Sequence, residues 1–133
     1  MEYLLDTNIC VFFFRNKFNI PNILIKKGIR NCCISEITVV ELRFGAENST
    51  NPQKHHKLID TFLQRIRVIP ITNAIGVYAS EKVRLRKAGI PINDEFDLLI
   101  GATAIANDMI LVTDNEKHFN RLSNIKIENW VKK

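Results

Sequence analysis

Short segments built almost wholly of apolar residues recur along this chain, and they alternate with longer segments in which apolar residues have helical spacing. Residues 3–5 and 109–112 are the clearest of the short segments, and each is ended abruptly by polar residues. Apolar runs without alternation are typical of strands buried on both faces, which occur in parallel sheets covered by helices. The pattern therefore predicts an α/β fold with a mainly parallel central sheet.

The other elements follow from the same spacing and from start and stop residues. Strands are predicted at residues 32–35, 68–71 and 125–128, the second of these at a sheet edge because of Pro70. Helices are predicted at residues 9–14, 53–67 and 73–88, the last with Gly89 as its cap, and a short helical turn is predicted at 117–119. Another helix runs from Pro21 to Gly28. Two more begin at capping residues: one starts at Ser35 or Thr38 and ends near Gly45, and the other starts after Asn93 or Asp94. No repeat or linker divides the 133 residues, so one domain is expected over residues 1–133.

Composition narrows the class of protein without naming its activity. The net charge of +5 favours polyanions such as RNA or DNA, although acidic protein partners fit equally well. The three cysteines, two of them adjacent, match neither a disulfide framework nor a zinc pattern, so buried thiols in a reducing cytoplasm are expected. The chain has no apolar run of about 18 residues and no basic segment at its start, so neither a membrane span nor a signal peptide is expected.

Two acidic residues directly follow the two most apolar strands. Asp6 comes after residues 3–5, and Asp114 comes one residue after residues 109–112. If both strands are central and parallel, the two carboxylates emerge at the same edge of the sheet, where open α/β sheets bind their ligands.

Two further acids lie inside helices that otherwise appear buried. Glu41 is flanked by Val39, Val40 and Leu42, and Asp97 begins the most apolar helix of the chain. An ionised carboxylate in such surroundings is costly unless a cation or hydrogen-bond donors compensate it. Positions 93, 94, 100 and 101 hold no lysine or arginine, so Asp97 has no ion pair within its own helix. A metal ion shared with Asp6 and Asp114 would supply the missing positive charge.

Each acid also has an ordinary structural interpretation. Asp6 suits a helix cap, Glu41 a half-exposed helix position, Asp97 the first turn of a helix and Asp114 a turn after a strand. All four together are better explained by Mg²⁺ or Mn²⁺, which prefer oxygen ligands. Such ions cleave phosphodiesters by activating water and neutralising phosphate charge, without a side-chain nucleophile.

The same residues form part of a longer ordered set that resembles the PIN-domain ribonucleases, and most closely the VapC toxins of bacterial toxin–antitoxin pairs. The similarity extends over nearly the whole chain. Its motifs are Tyr3-Leu4-Leu5-Asp6-Thr7-Asn8, Ser35-Glu36-Ile37-Thr38-Val39-Val40-Glu41-Leu42-Arg43-Phe44-Gly45, Gly89-Ile90-Pro91-Ile92, Asp97-Leu98-Leu99-Ile100-Gly101-Ala102, Leu111-Val112-Thr113-Asp114-Asn115 with Phe119, and Glu128-Asn129-Trp130.

The resemblance implies a three-layer α/β/α sandwich and an endoribonuclease dependent on Mg²⁺ or Mn²⁺. It implies that Asp6, Glu41, Asp97 and Asp114 bind the metal, with Glu116 as the alternative to Asp114 in a position that varies within the family. Thr7, Asn8 and Thr113 are implied to orient carboxylates or water. A homodimer is implied, together with a small VapB-like antitoxin that enters the acidic site, and structured RNA such as transfer RNA or ribosomal RNA as substrate.

Two other functions remain open at this stage. One is a PIN-like module that binds RNA or protein without cleaving it, and the other is a DNA-directed nuclease. Contacts to an RNA backbone are expected from Arg84, Arg86 and Lys87, and from Arg43 near the predicted site, unless these cations only form a solvated helix face. Asp94 is expected to cap its helix, where it would add a further charge, and His118 is expected near the site.

Overall fold

Five short strands form one sheet in the structure, a computed structural model that describes residues 1–133. The strands are β1 (Tyr3–Leu5), β2 (Cys32–Ser35), β3 (Arg67–Ile69), β4 (Ile110–Val112) and β5 (Lys126–Glu128). Their order across the sheet is β3-β2-β1-β4-β5, and every neighbouring pair is parallel. The predicted parallel sheet is confirmed, and the strand next to Pro70 lies at an edge as predicted.

Seven helices connect and cover the strands. They are α1 (Thr7–Phe14), α2 (Ile20–Lys27), α3 (Glu36–Glu47), α4 (Pro52–Leu63), α5 (Ile75–Lys87), α6 (Glu95–Ala106) and α7 (Glu116–Phe119). None of them has the length and apolar character that crossing a membrane requires. Two of the predicted helix caps are confirmed. Ser35 and Asp94 accept hydrogen bonds from backbone N–H groups in the first turns of α3 and α6. Gly28 ends α2 with a φ of +93°, a conformation that favours glycine.

The sheet separates two apolar cores. Leu5 faces the core formed with α1, α2, α4 and most of α3, whereas its neighbour Leu4 faces the core formed with α5, α6 and α7. Successive side chains of a strand point to opposite faces, so a strand buried on both sides needs apolar residues at every position. The three-layer α/β/α sandwich is therefore confirmed, and all three cysteines are buried and free as expected.

Several predicted boundaries differ from the observed ones. The helix predicted at residues 53–67 ends at Leu63, because the chain turns over residues 64–66 and Arg67 enters β3. Ile66 is buried in the same core as Phe62, four residues earlier. This spacing of apolar residues is typical of a helix, although the helix has already ended. At the other end of the pattern, α3 continues through Gly45 to Glu47.

The strand order reverses between β1 and β4. The chain moves outward from β1 to β2 and β3 on one side, and then crosses back to add β4 and β5 on the other. Adjacent parallel strands that lead in opposite directions leave a crevice at their carboxyl ends, and ligands bind there in open α/β sheets. Asp6 and Thr113 are the first residues after β1 and β4, so both lie at this crevice.

Candidate active site

Asp6 is a buried carboxylate at the end of β1, with only 5% of its surface exposed. Its Oδ1 accepts a hydrogen bond from the backbone N–H of Thr7 at 2.8 Å, which caps α1. Its Oδ2 accepts a hydrogen bond from the hydroxyl of Thr113 at 2.8 Å. Both predicted roles of Asp6 therefore coexist, since it caps a helix and also lies at the switch point of the sheet.

Glu41 is linked to Asp6 through Thr7, whose hydroxyl contacts Glu41 and whose backbone N–H contacts Asp6. The Thr7 hydroxyl donates to Oε1 of Glu41 at 2.7 Å and lies 3.0 Å from the hydroxyl of Thr38. Thr38 is fully buried, and because the sequence predicts it only as a possible helix cap, its part in this network is revealed by the structure. Its spacing was the available signal: Thr38 precedes Glu41 by three residues and so shares its helix face.

Asp97 lies in the first turn of α6, and Asp94 caps that helix. The Asp94 side chain accepts bonds from the N–H groups of Phe96 and Asp97 at 3.0 and 3.2 Å. Burial raises the pKa of Asp97 to about 7, with further contributions from the charges of Asp6, Asp94 and Glu41. Asp94 thus fulfils both expectations, as a cap and as an added negative charge.

The negative charge of Asp6, Glu41 and Asp97 is not balanced by any lysine or arginine. Burial raises the pKa values of Asp6 and Glu41, and the charge of Asp94 adds to both shifts. Neither Asp6 nor Glu41 forms an ion pair, and the one basic group near Asp97 is His118, whose Nε2 lies 3.4 Å from Oδ2. The structure therefore brings three predicted site residues into one uncompensated group, which we call the acid cluster: Asp6, Glu41 and Asp97.

Asp114 has a different environment from the acid cluster. Its Oδ1 accepts a bond from the amide of Asn129 at 3.2 Å, and its Oδ2 lies 3.2 Å from the ammonium of Lys133. The Asn129 amide also contacts Oε2 of Glu116 at 3.2 Å. Asp114 is not among the charges that raise the pKa values of the acid cluster, whereas Asp94 is. Neither Asn129 nor Lys133 was predicted to contact the fourth acid.

Two of the cations expected to contact RNA have partners inside the protein. Arg43 bonds Asp60 at 2.6 Å and the His56 carbonyl at 3.3 Å, so it joins α3 to α4. Arg84 forms two hydrogen bonds with the carboxylate of Glu81. The exposed cations Arg86 and Lys87, near the end of α5, form no ion pair.

The donor chemistry of the acid cluster fits a hard divalent cation. All its donors are carboxylate oxygens, and its charge lacks a cationic partner, which is the setting that Mg²⁺ or Mn²⁺ compensates. As oriented in the structure, no three acidic, histidine or cysteine side chains converge on one point that could hold a metal ion. Oxygens of Asp6 and Glu41 instead accept hydrogen bonds from Thr7 and Thr113.

The raised pKa of Asp97 predicts a pH-dependent loss of stability in the metal-free protein. Unfolded Asp97 ionises near pH 3.8 and folded Asp97 near 7, so between these values unfolding releases a proton and stability falls as the pH rises. Above pH 7 both states are ionised and the loss stays constant. After allowance for solvent screening we expect it to be on the order of 2 kcal/mol.

Urea denaturation of the wild type and of Asp97→Asn at pH 4 and pH 8 measures this loss. The variant should be the more stable protein at pH 8, and the two should nearly coincide at pH 4. Equal differences at both pH values would contradict the shift, because other titrating groups are common to the two proteins.

Thr113 is expected to be the most important hydroxyl of the crevice for stability. It is fully buried, donates to Asp6 and accepts a bond from the N–H of Asn115 at 3.0 Å. Thr113→Val keeps the shape but removes the donor to a buried carboxylate, so we expect a loss of about 1.5–3 kcal/mol in the free energy of unfolding. Thr61→Val is the control, because the Thr61 hydroxyl is exposed and bonds only to its own helix. Equal losses of unfolding free energy in the two variants would show that the bond to Asp6 contributes no more to stability than an exposed hydroxyl does.

Comparisons with known proteins agree with this description. The family model for the PIN domain matches residues 3–125. Ribonuclease VapC2 of Rickettsia felis is 35% identical over 137 residues, which cover 99% of this chain and 100% of that protein. The tRNA(fMet)-specific endonuclease VapC of Shigella flexneri is 31% identical over 131 residues, 98% of each chain.

Solved structures of toxin–antitoxin complexes share the fold. DNA-bound VapBC from Salmonella typhimurium superimposes with a TM-score of 0.90 at 30% identity, covering 98% of each chain. VapBC2 from Rickettsia felis, bound to a DNA fragment from its promoter, gives a TM-score of 0.86 at 33% identity and covers 98% of this chain and 99% of that one.

Proposed function

Because the chain belongs to the PIN-domain family and to its VapC branch, we propose that it is an endoribonuclease toxin whose active site is the acid cluster. The observation that carries the proposal is the grouping of Asp6, Glu41 and Asp97 from three separate elements. These carboxylates lie near the switch point of the sheet, where burial and neighbouring acidic charges raise their pKa values and no lysine or arginine pairs with them. Uncompensated acids at this position are the arrangement that metal-dependent phosphodiester cleavage requires.

In this proposal Mg²⁺ or Mn²⁺ is held by Asp6, Glu41 and Asp97, with Asp114 as the fourth acid and Glu116 as its alternative. A bound divalent cation supplies an activated water and neutralises charge on the phosphate. Thr7 and Thr113 orient the carboxylates of Glu41 and Asp6 through hydrogen bonds of 2.7 and 2.8 Å. The burial of Asp6 keeps bulk water away from this end of the cluster.

The proposed substrate is a structured RNA, with transfer RNA as the first candidate and ribosomal RNA as the second. The Shigella and Salmonella relatives are named as tRNA(fMet)-specific endonucleases, at 31% and 29% identity. The net charge of +5 favours a polyanion, and Arg86 and Lys87 are available for its backbone.

Cleavage assays with matched substrates test this function. The purified chain, in buffer with Mg²⁺, is incubated with total transfer RNA, with a ribosomal RNA fragment and with DNA of the same sequences. We expect discrete RNA fragments and intact DNA. Equal cleavage of DNA would identify a DNA-directed nuclease, and RNA binding without cleavage would identify a non-catalytic module. Either result would refute the proposed ribonuclease.

A VapB-like antitoxin is the proposed protein partner, because the similar structures are VapBC complexes. A groove of about 320 Å³ leads away from Glu41 and Thr7 between α1, α3 and α4. Six of its twelve lining residues are hydrophobic, among them Val11, Phe14 and Leu58. A segment with apolar side chains and one basic side chain would match the groove and the acidic site together.

Leu58→Asp tests this partner surface. We expect at least about a tenfold loss of affinity for the antitoxin by calorimetry, since a charge replaces apolar contact in the groove. Ile75→Asp, at an exposed apolar position of α5, is the control and should bind normally. Equal losses would place the antitoxin elsewhere.

A homodimer is also proposed, and light scattering of the purified chain measures it directly.

A further inference from the structure

We propose that His118 is a positioning residue that holds the carboxylate of Asp97 in the acid cluster. The inference rests on the proposed metal site and goes beyond it by adding a residue that is not itself a ligand. His118 lies on α7, outside the four acids, and its imidazole is the one basic group within ion-pair distance of that cluster.

A close approach between α6 and α7 brings the imidazole to Asp97. Gly101 lies one turn after Asp97 on α6, and a Cβ atom there would collide with Leu122 and lie 3.4 Å from Cδ1 of Phe119. The missing side chain thus lets the segment of α7 pack directly on α6. Phe119 is fully buried in this contact, so its neighbour His118 is carried against the first turn of α6.

The contact itself is specific in its atoms. Nε2 of His118 lies 3.4 Å from Oδ2 of Asp97, and both side chains are 21% exposed. That nitrogen is shielded from solvent and has no hydrogen-bond partner, because the pair is close but not aligned for a hydrogen bond. The imidazole packs against the ring of Phe119 in a T-shaped arrangement, with 5.5 Å between the ring centroids. In the proposed arrangement the Asp97 carboxylate turns so that Oδ2 accepts a hydrogen bond from Nε2–H.

This bond has a direct consequence for a cation. Holding Oδ2 restricts the carboxylate and leaves Oδ1 available as a metal ligand. Groups that orient metal ligands in this way typically change metal affinity by about 10- to 100-fold when removed. Since no lysine or arginine contacts Asp97, no other basic side chain takes the place of His118 as a hydrogen-bond donor to this carboxylate.

Calorimetric titration of the full chain with Mn²⁺, without RNA, tests the inference. His118→Leu keeps the volume but removes the donor, and we expect at least about a tenfold weaker Mn²⁺ affinity. His118→Gln returns an N–H donor at a similar distance from the backbone, and it should restore most of the affinity. Lys117→Ala is the control, because it removes an exposed cation from the same helix. If His118→Leu does not fold, His118→Asn takes its place, since its shorter amide ends before Asp97.

The outcomes separate this inference from the proposed function. Wild-type affinity in His118→Leu would overturn the positioning role, as would a Gln variant as weak as the Leu variant. In both cases the metal site itself would stand. A wild-type chain that binds no Mn²⁺ would overturn the proposed metal site and the role of His118 with it.

Discussion

Asp97→Asn is expected to slow RNA cleavage by at least about a thousandfold, which corresponds to about 4 kcal/mol in the activation barrier. Asparagine keeps the shape of the side chain but lacks the charge that a divalent cation requires. The fold should persist, because the pKa of about 7 shows that the ionised form of Asp97 is disfavoured in its surroundings. Single-turnover cleavage of a labelled RNA at saturating enzyme concentration measures the effect, with thermal unfolding as the measure of folding.

Two further variants make this result specific. Asp6→Asn should lose activity to a similar extent, since Asp6 lies in the same acid cluster. Asp108→Asn is the matched control. Asp108 is an exposed acid that precedes β4, so it lies at the amino-terminal ends of the strands, away from the crevice, and it pairs with Lys126. Asparagine also tolerates the positive φ of 52° at this position. Cleavage by Asp97→Asn at the wild-type rate would refute the proposed site, and loss of activity in all three variants would indicate a general charge effect.

Divalent cations are expected to change both activity and stability by large amounts. Chelation with EDTA should reduce RNA cleavage to background, and Mg²⁺ or Mn²⁺ should restore it. Mn²⁺ at about one hundred times its dissociation constant should stabilise the folded chain by about 2.7 kcal/mol. For a domain of this size that corresponds to a rise in Tm of about 8–12 °C. The cause is the uncompensated charge of three carboxylates, which the bound ion neutralises.

The stabilisation has to depend on the acid cluster to support the proposal. Scanning calorimetry of Asp97→Asn with the same Mn²⁺ concentrations should show little of the shift, and NaCl at matched ionic strength should not reproduce it in the wild type. An equal shift in wild type and variant would assign the ion to another part of the surface. Cleavage that persists in EDTA would contradict a metal-dependent reaction.

Much of the fold could be predicted from local patterns. The strands β1 and β4 were recognisable because central strands of a covered parallel sheet consist of apolar residues, and β2 is likewise apolar up to Ser35. Helix starts at Ser35 and Asp94 were recognisable because short polar side chains satisfy free N–H groups there. The same local patterns singled out four acids: Asp6 and Asp114 because they follow apolar strands, and Glu41 and Asp97 because acids are unusual in apolar helices.

The partners of these acids could not be obtained from such patterns. Thr7 meets Glu41 across 34 positions, and Thr113 meets Asp6 across 107. The two partners of Asp114, Asn129 and Lys133, follow β5 in the chain, so their contacts with Asp114 depend on the pairing of β5 with β4. Local spacing carries no information about pairings at this distance.

The chain therefore reveals through its local chemistry which elements form and which acids are out of place. Tertiary packing decided three further features. These are the order of the strands, the effect of the charge of Asp94 on the pKa values of the acid cluster, and the contact of His118 with Asp97. The physical reason is the range of each interaction. Apolar periodicity and helix caps act within one or two turns, whereas desolvation and charge coupling depend on how distant elements meet.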